Sequence, residues 1–582
     1  MVKSCGFIFL FLLYSLSVFA EQPHTLEKIE VFKSSSLSNK YCIESEDLRD
    51  SSIRSISEAI GLLGIDTQAR VLNYGVQTDF SLRGLGFEGL SILLNGQRIN
   101  DPQTGHHNSD IPLSLEDIET IELDPFQATL NIIPKSAKDS ENSFENSYGQ
   151  YQTYASRLII SNKMDRPGLK LSLERRESRG FRDDTDFKTL ITNLYSNFKF
   201  SPEQEAALFL GYNEKEFGAY DFYTPHSGYP SREWTKTLIL DSRFNLKLED
   251  LSFKPRFLWR RHFDKFMLDT SGLKSDYLNH HRTDLFAAGV SVKRQGELLD
   301  SLCLDLGFEE ERINSTRMGR HGRSHYSIST NMQKQLTAQM IVDSNFVFDY
   351  FANFKDRLGG SIRLGYSLDQ YQQFDLGISF IRRRPTFTEN YYQDPQTRGN
   401  PNLSPEELLT YQLGYGYQQA GLNMGLTAFF RQEDNLINWV KKNPADFWQA
   451  RNMLEADCIG METHFEKRIN PLLRGGFNYA YIDKRLKDIG WLYKYGSNYA
   501  AHLFNSFLEL DLPLFFLSVE LQYKKRPHRN GWALLNLSVR RDINKNFQIF
   551  CKISNVLNVE YQDLEGIPSP GRWAEAGMRI EW

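Results

Sequence analysis

The chain has 582 residues, with 68 Lys and Arg against 73 Asp and Glu for a formal net charge of -5, and a pI near 6.2, so it offers no basic field to nucleic acid. That length holds either several ordinary domains or one very large β architecture with a smaller insert. Aromatic residues make up 13% of it, as 41 Phe, 28 Tyr and 8 Trp, which suits interfaces where one end of a side chain is wet.

The opening MVKSCGFIFLFLLYSLSVFAEQ sets Lys3 before an apolar run from Gly6 to Leu16, with Val18 and Ala20 at the small-residue positions a signal peptidase reads. We expect a signal peptide over residues 1–20, cleavage after Ala20, and export. The run falls short of the roughly twenty residues a spanning helix needs. No later stretch is long and apolar enough to cross a bilayer as a helix, and the mean hydropathy is -0.47. Beyond Cys5, the cysteines Cys42, Cys303, Cys458 and Cys551 are far apart with no CxxC spacing, leaving room for one bridge but no disulfide framework.

Residues 36–140 read as a compact mixed α/β unit. SIRSISEAIGLLGID spaces Ile53, Ile56, Ile60 and Leu63 for a helix, with Gly61 and Gly64 near its end, where a left-handed closing residue is needed. DFSLRGLG reads as a strand, and LSILLNGQRI as two short strands joined by Asn95-Gly96, the pair a type I′ hairpin turn prefers. LSLEDIETIELD reads as a short helix or turn entering another strand, and KSAKDSENSFENS as a linker.

From 145 to 582 the pattern is strand after strand. Ile362, Leu364, Tyr366 and Leu368 alternate with polar or small residues, as do Phe374, Leu376, Ile378 and Phe380, then Tyr411, Leu413, Tyr415 and Tyr417. Short turns such as KLED and RDINKN interleave with long polar connectors such as RRPTFTENYYQDPQTRGNPNLSPEE. With export and abundant aromatics, this fits a transmembrane β-barrel; a secreted sandwich or propeller would show domain-sized repeats. Roughly 435 residues at about 20 per strand and connector give about 22 antiparallel strands, and barrels of that size enclose a lumen that a separate domain can plug. The N-terminal mixed α/β unit is then the plug.

SLRGLGFEGLSILLNGQRINDPQTGHHNSDIPLSLEDIETIEL closely resembles the plug of TonB-dependent outer-membrane receptors, including Arg83-Gly84 and the Asn95-Gly96 hairpin. RPTFTENYYQDPQTRGNPNLSPEELLTYQLGYGY and ISNVLNVEYQDLEGIPSPGRWAEAGMRIEW are similar to that family's mid-barrel segment and closing hairpin. The wording NDPQTGHHN is most like the vitamin B12 (cobalamin) branch, although ferric-siderophore receptors share most of these features. The resemblance implies active uptake of a scarce, bulky ligand, a corrinoid or alternatively a ferric siderophore, across the outer membrane of a Gram-negative bacterium. It implies energy from TonB with ExbB and ExbD, and as partners the ligand, outer-membrane lipid and the barrel-assembly machinery, with no cofactor beyond calcium in an outer loop.

Coupling in the family runs through a segment that adds as a strand to TonB. The candidate within residues 21–35 is TLEKIEVF, with Leu26, Ile29 and Val31 apolar; it lacks the family's usual Val-Thr-Ala ending, and it reads equally as a first plug strand. At the other end of the plug, IELDPFQATLNIIPKS is about nine residues shorter than the family pattern, which carries glycines that allow close backbone approach. The shortening is expected to shorten a plug strand, alter gating, or mark a receptor with relaxed coupling.

Candidate site residues follow. Gln103, Thr104, His106, His107 and Asn108 read as a polar apical plug loop able to contact ligand; as metal ligands, the adjacent histidines show no carboxylate or Cys partner at ligand spacing. Asp183, Asp184 and Asp186 supply the oxygen ligands calcium takes but lack EF-hand spacing, so a solvated acidic loop is the competing reading. Arg83, inside a plug, must be paired, with an acid of plug or barrel wall. Phe387, Tyr391 and Tyr392 fall in an outward connector, to contact ligand or headgroups. There is no GxSxG, HExxH, Walker loop or supported carboxylate pair, so no enzyme is expected; a barrel hydrolase would need no plug. A non-transporting receptor or adhesin is the other class left open. In AEAGMRIEW, Ala574, Ala576, Met578, Ile580 and Trp582 share one parity, so they are expected to face lipid on a closing strand with Trp582 as interface anchor; the resemblance further implies that Trp582 is part of the signal read by the barrel-assembly machinery.

Overall fold

The computed structural model describes residues 41–582 apart from 71–73, 138–139, 163–166, 224–227, 273–276, 297–298, 352–356, 488–489 and 496–497. The expected leader and the coupling segment with Leu26, Ile29 and Val31 lie outside the described residues.

Alternation builds the larger unit. Among the described residues, twenty-two long antiparallel strands, from Ser143–Gly149 to Trp573–Glu581, close into one barrel. In the strand Gly168–Ser178, Leu169, Leu171 and Leu173 are 40%, 44% and 43% exposed, whereas Lys170, Ser172 and Glu174 are buried. Ile362, Tyr366, Leu376, Ile378, Tyr411 and Leu413 are likewise exposed. Apolar side chains outside and charged ones inside invert the arrangement of a water-soluble protein and produce the lipid-facing band of a membrane barrel. The first strand starts inside the polar segment that reads as a linker, at Ser143.

The barrel closes at its two ends in sequence. Glu575 pairs with Gly149 and Glu581 with Ser143, so no edge is left. Ala576, Met578, Ile580 and Trp582 are exposed while Glu575 and Arg579 are buried, and the Trp582 N–H donates to Asn142 O at 3.1 Å. Connectors alternate in length: Lys199 to Gln204, Leu248 to Leu251 and Gln419 to Leu422 are tight, and 219–231, 268–277 and 384–405 are long. In membrane barrels the long loops are the outer ones.

Inside, the plug carries a five-stranded sheet in the order Tyr41–Glu44, Ile118–Asp124, Thr129–Pro134, Ser91–Leu94, Gln97–Arg98. The helix Ile56–Leu62 starts where Ser55 accepts from the Glu58 N–H, an N-cap contributing about 1 kcal/mol. Ile60, Ile92, Leu94, Ile118, Ile121, Leu130 and Ile132 are fully buried in the plug core. Asn95 and Gly96 have φ of 52° and 80°, the left-handed pair a type I′ turn requires.

The shortened stretch has not lost a strand. Ile118–Asp124 and Thr129–Pro134 pair directly, Asp124 opposite Thr129. Asp124 Oδ1 accepts the Phe126 and Gln127 N–H groups at 3.0 and 3.2 Å, which tightens the turn. Phe126 is buried, and Ser379 Oγ on the barrel donates to its carbonyl at 3.0 Å. The turn is thus seated on the wall. Cys42, Cys303, Cys458 and Cys551 are all free.

Candidate functional site

Plug and wall meet through buried charges. Arg54 Nε lies 3.0 Å from Glu575 Oε2, and Arg526 and Lys524 hold Asp66 at 2.7 and 3.0 Å. Arg83 reaches Glu462 on the barrel at 2.6 Å, and the carbonyls of Arg83 and Gly84 accept from Arg431 and Lys484 at 2.7 and 3.1 Å. The acid expected opposite Arg83 is therefore on the wall.

On the long-loop side, above the plug, lies a cavity of about 760 Å³, within the range of small-molecule sites. Its floor is the plug segments Gly84–Gly89 and Gln103, Thr104, His106 and His107; its walls include Tyr223, Tyr277, Tyr392, Trp439, Trp448, Tyr495 and Tyr499. A long loop folds down to shape it. The Phe387 and Thr388 N–H groups donate to the Pro102 and Gln103 carbonyls at 2.9 and 3.1 Å. Gly105 is needed here because a Cβ would sit 2.5 Å from Phe87 O.

The lining is acidic. Glu88, Asp264, Glu389, Asp394, Glu406 and Glu433 line it against Arg383, Lys484 and Lys494. Arg383 is already taken by Glu389 and Glu406, at 2.9 and 2.6 Å, and Lys484 by Glu433 at 2.7 Å. Burial, reinforced by Glu389, pushes the Glu88 carboxyl up to about 8, so it is largely neutral at pH 7. An excess of carboxylates remains.

The adjacent histidines differ. His106 stacks on Phe87 with centroids 4.2 Å apart and meets Asp79 Oδ1 at 2.7 Å; burial outweighs that carboxylate and lowers its pKa, keeping the ring neutral. His107 is also buried, but Asp110 and Asp264 beside it override burial and hold its pKa well above the ordinary imidazole value. The reading that no carboxylate stands at ligand spacing is thereby corrected: Asp110 lies 3.6 Å from one ring nitrogen and Asp264 3.4 Å from the other. Asp110 is three residues along the chain; Asp264 arrives from a barrel strand 157 positions away, a proximity created only by the plug entering the lumen.

The remaining candidates separate. Tyr392 lines the cavity and its hydroxyl lies 3.1 Å from that of Tyr277. Tyr391 instead stacks on His321 at 3.6 Å, and Asn108 Oδ1 accepts the Asp101 N–H at 3.0 Å, so neither faces the cavity. Among the described residues, Asp183, Asp184 and Asp186 do not converge as a set of three ligands; Asp186 is engaged by Arg232 Nη1 and Nη2 at 3.1 and 2.9 Å. The walls Tyr223, Trp439, Trp448 and Tyr495 were not singled out in the sequence, where aromatics are too common for any one to stand out.

Comparison with known proteins fits this geometry. The family described as "TonB dependent receptor-like, beta-barrel" matches residues 122–556, and the "TonB-dependent Receptor Plug Domain" matches residues 33–129. The vitamin B12 transporter BtuB of Photobacterium profundum is 24% identical over 31% of this chain and 30% of its own. That of Vibrio vulnificus is 21% identical over 48% and 47%, so the chain spans less than half the length of these relatives. In fold, the siderophore receptor PirA from Acinetobacter baumannii superposes with a TM-score of 0.76 at 14% identity, covering 93% of this chain and 98% of PirA. The ferric enterobactin receptor PfeA of Pseudomonas aeruginosa, as a mutant in complex with enterobactin, gives 0.75 at 14% identity, covering 93% and 99%. With its plug seated inside a closed twenty-two-stranded barrel and both family domains matched, the chain belongs to the TonB-dependent receptors of the outer membrane.

Proposed function

We propose that the protein imports a corrinoid of the cobalamin class across the outer membrane, energised by TonB with ExbB and ExbD through the segment at residues 21–35. The acidic, aromatic cavity carries this reading. A corrinoid presents a broad conjugated ring edged by neutral amides, which aromatic walls and polar plug groups such as Gln103 and Thr104 suit. A ferric tris-catecholate is anionic, and against Asp264 and Asp394 it would meet like charge in a partly dry site. The partial likeness to vitamin B12 transporters points the same way.

A ferric siderophore is the second reading, and the likeness in fold to PirA and PfeA favours it. Calorimetric titration of the purified protein with cyanocobalamin and with a panel of ferric siderophores separates the two. Tight binding of cyanocobalamin with no heat from ferric tris-catecholates is expected; the opposite order overturns the corrinoid reading.

A further inference from the structure

One buried cluster beside the cavity holds two polar atoms that, among the described residues, have no hydrogen-bond partner. His107 and Asp110 sit on the apical plug loop, and His262 on the barrel strand Leu251–Met267. They are 3%, 5% and 0% exposed, and one ligand atom from each lies within 4.8 Å of the others. Asp110 Oδ2 is 3.6 Å from His107 Nδ1 and 3.7 Å from His262 Nε2. Among the described residues, neither Asp110 Oδ2 nor His262 Nε2 has a hydrogen-bond partner although both are buried, which native interiors rarely tolerate without an ion or water.

The opposite atoms of the same three side chains are occupied. His262 Nδ1 lies 2.8 Å from Thr237 Oγ1, Asp110 Oδ1 lies 2.8 Å from Lys215 Nζ, and His107 Nε2 lies 3.4 Å from Asp264 Oδ2. An imidazole backed by a carboxylate and another backed by a hydroxyl form the outer support of metal-binding histidines. A tetrahedral ion with bonds of about 2.0–2.2 Å separates its ligands by roughly 3.3–3.6 Å, so the two spacings from Asp110 need only a small contraction.

We propose that His107, Asp110 and His262 form a buried site for a zinc-class divalent cation that ties the apical plug loop to the barrel wall. Two imidazoles and one carboxylate select such a metal over calcium or magnesium, which take oxygen ligands. The site joins a plug loop that lines the cavity to a fixed strand, so an occupied site holds the cavity floor in place whatever cargo the receptor carries.

The test uses the full-length protein in detergent, stripped with chelator and titrated with Zn²⁺ alone and then with Co²⁺. The proposal expects one tight equivalent, a tetrahedral Co²⁺ visible spectrum, a raised melting temperature, and no competition from millimolar Ca²⁺. His262→Gln and Asp110→Asn should each weaken binding at least tenfold, and the surface variant His528→Gln should not. Should either ligand variant fail to fold, Thr237→Val leaves all three ligands and should weaken binding severalfold by freeing the His262 ring. No bound Zn²⁺ in the wild-type protein overturns the site, and so does binding that His262→Gln, Asp110→Asn and Thr237→Val leave unchanged.

Discussion

Arg83 of the plug donates from Nε and Nη2 to the two carboxylate oxygens of Glu462 on the barrel wall, at 2.8 and 2.6 Å. The third nitrogen, Nη1, reaches Gln412 Oε1 at 3.0 Å, and the guanidinium lies 4.4 Å from the Phe429 ring centroid. A fork-to-carboxylate pair of this kind is directional and, when buried, costly to break on one side only. It fastens the plug at a chosen rotation inside the barrel, and any force that draws the plug out must break it.

Arg83→Met leaves the part-buried Glu462 without its cation, so plug stability should fall by about 2–3 kcal/mol. Urea unfolding followed by plug and barrel probes should show the plug transition alone moving to lower urea. Adding Glu462→Gln should recover part of the loss, because the stranded charge is gone. Equal loss in the single and double variants would show that the pair is not the fastening.

Tyr392→Ala removes a cavity wall residue whose hydroxyl also meets Tyr277. Aromatic anchors at binding sites commonly contribute at least about 1 kcal/mol, so ligand affinity should drop roughly fivefold or more. Tyr391→Ala, removing the partner of His321 outside the cavity, should change affinity little. Equilibrium titration of both variants checks the contrast.

Glu88 supplies a pH dependence. Its carboxyl rises from 4.5 to about 8 on folding, through burial and then Glu389. The folded state therefore holds a proton that the unfolded chain releases, so stability falls as pH rises through that window and levels off above it. Glu88→Gln should flatten this slope, its melting temperature exceeding that of wild type increasingly towards about pH 8. Parallel wild-type and variant profiles would contradict the assignment.

Leu376 is 58% exposed on the outer face and Asp375 beside it is buried. A Leu376→Arg change should cost about 2–4 kcal/mol if it lies near the bilayer midplane, and less toward an interface. Unfolding from lipid vesicles measures it; in a detergent-free aqueous setting the same change would be close to neutral on an ordinary protein surface.

The barrel was legible because its physics repeats: Ile362 and Tyr366, or Leu376 and Ile378, declare an outer face by parity alone. Plug elements were legible where local chemistry decides them, as at Ser55 before its helix and at Asn95-Gly96. The strand at Gln97 closes after only two residues, since pairing there depends on a neighbour rather than on propensity. The shortened stretch at Phe126 read as a deficit, and it is a complete hairpin because Asp124 tightens the turn and Ser379 receives it.

The site was legible only in part. Gln103, Thr104, His106, His107 and Tyr392 do face the cavity, since an apical polar loop points wherever the lumen opens. Its acidic balance was not readable. Glu88, Asp264 and Glu433 come from a plug loop and two distant strands, and their convergence is a property of plug and barrel together. The same holds for His262 and Asp264 beside His107.

Uptake of radiolabelled cobalamin by cells expressing this receptor as their only corrinoid receptor, with and without TonB, tests the central claim most directly. Ligand accumulation that requires TonB and is abolished by Val31→Pro, with surface binding retained in both cases, is the predicted result. Accumulation indifferent to TonB, or none at all while a ferric siderophore is taken up, would contradict it.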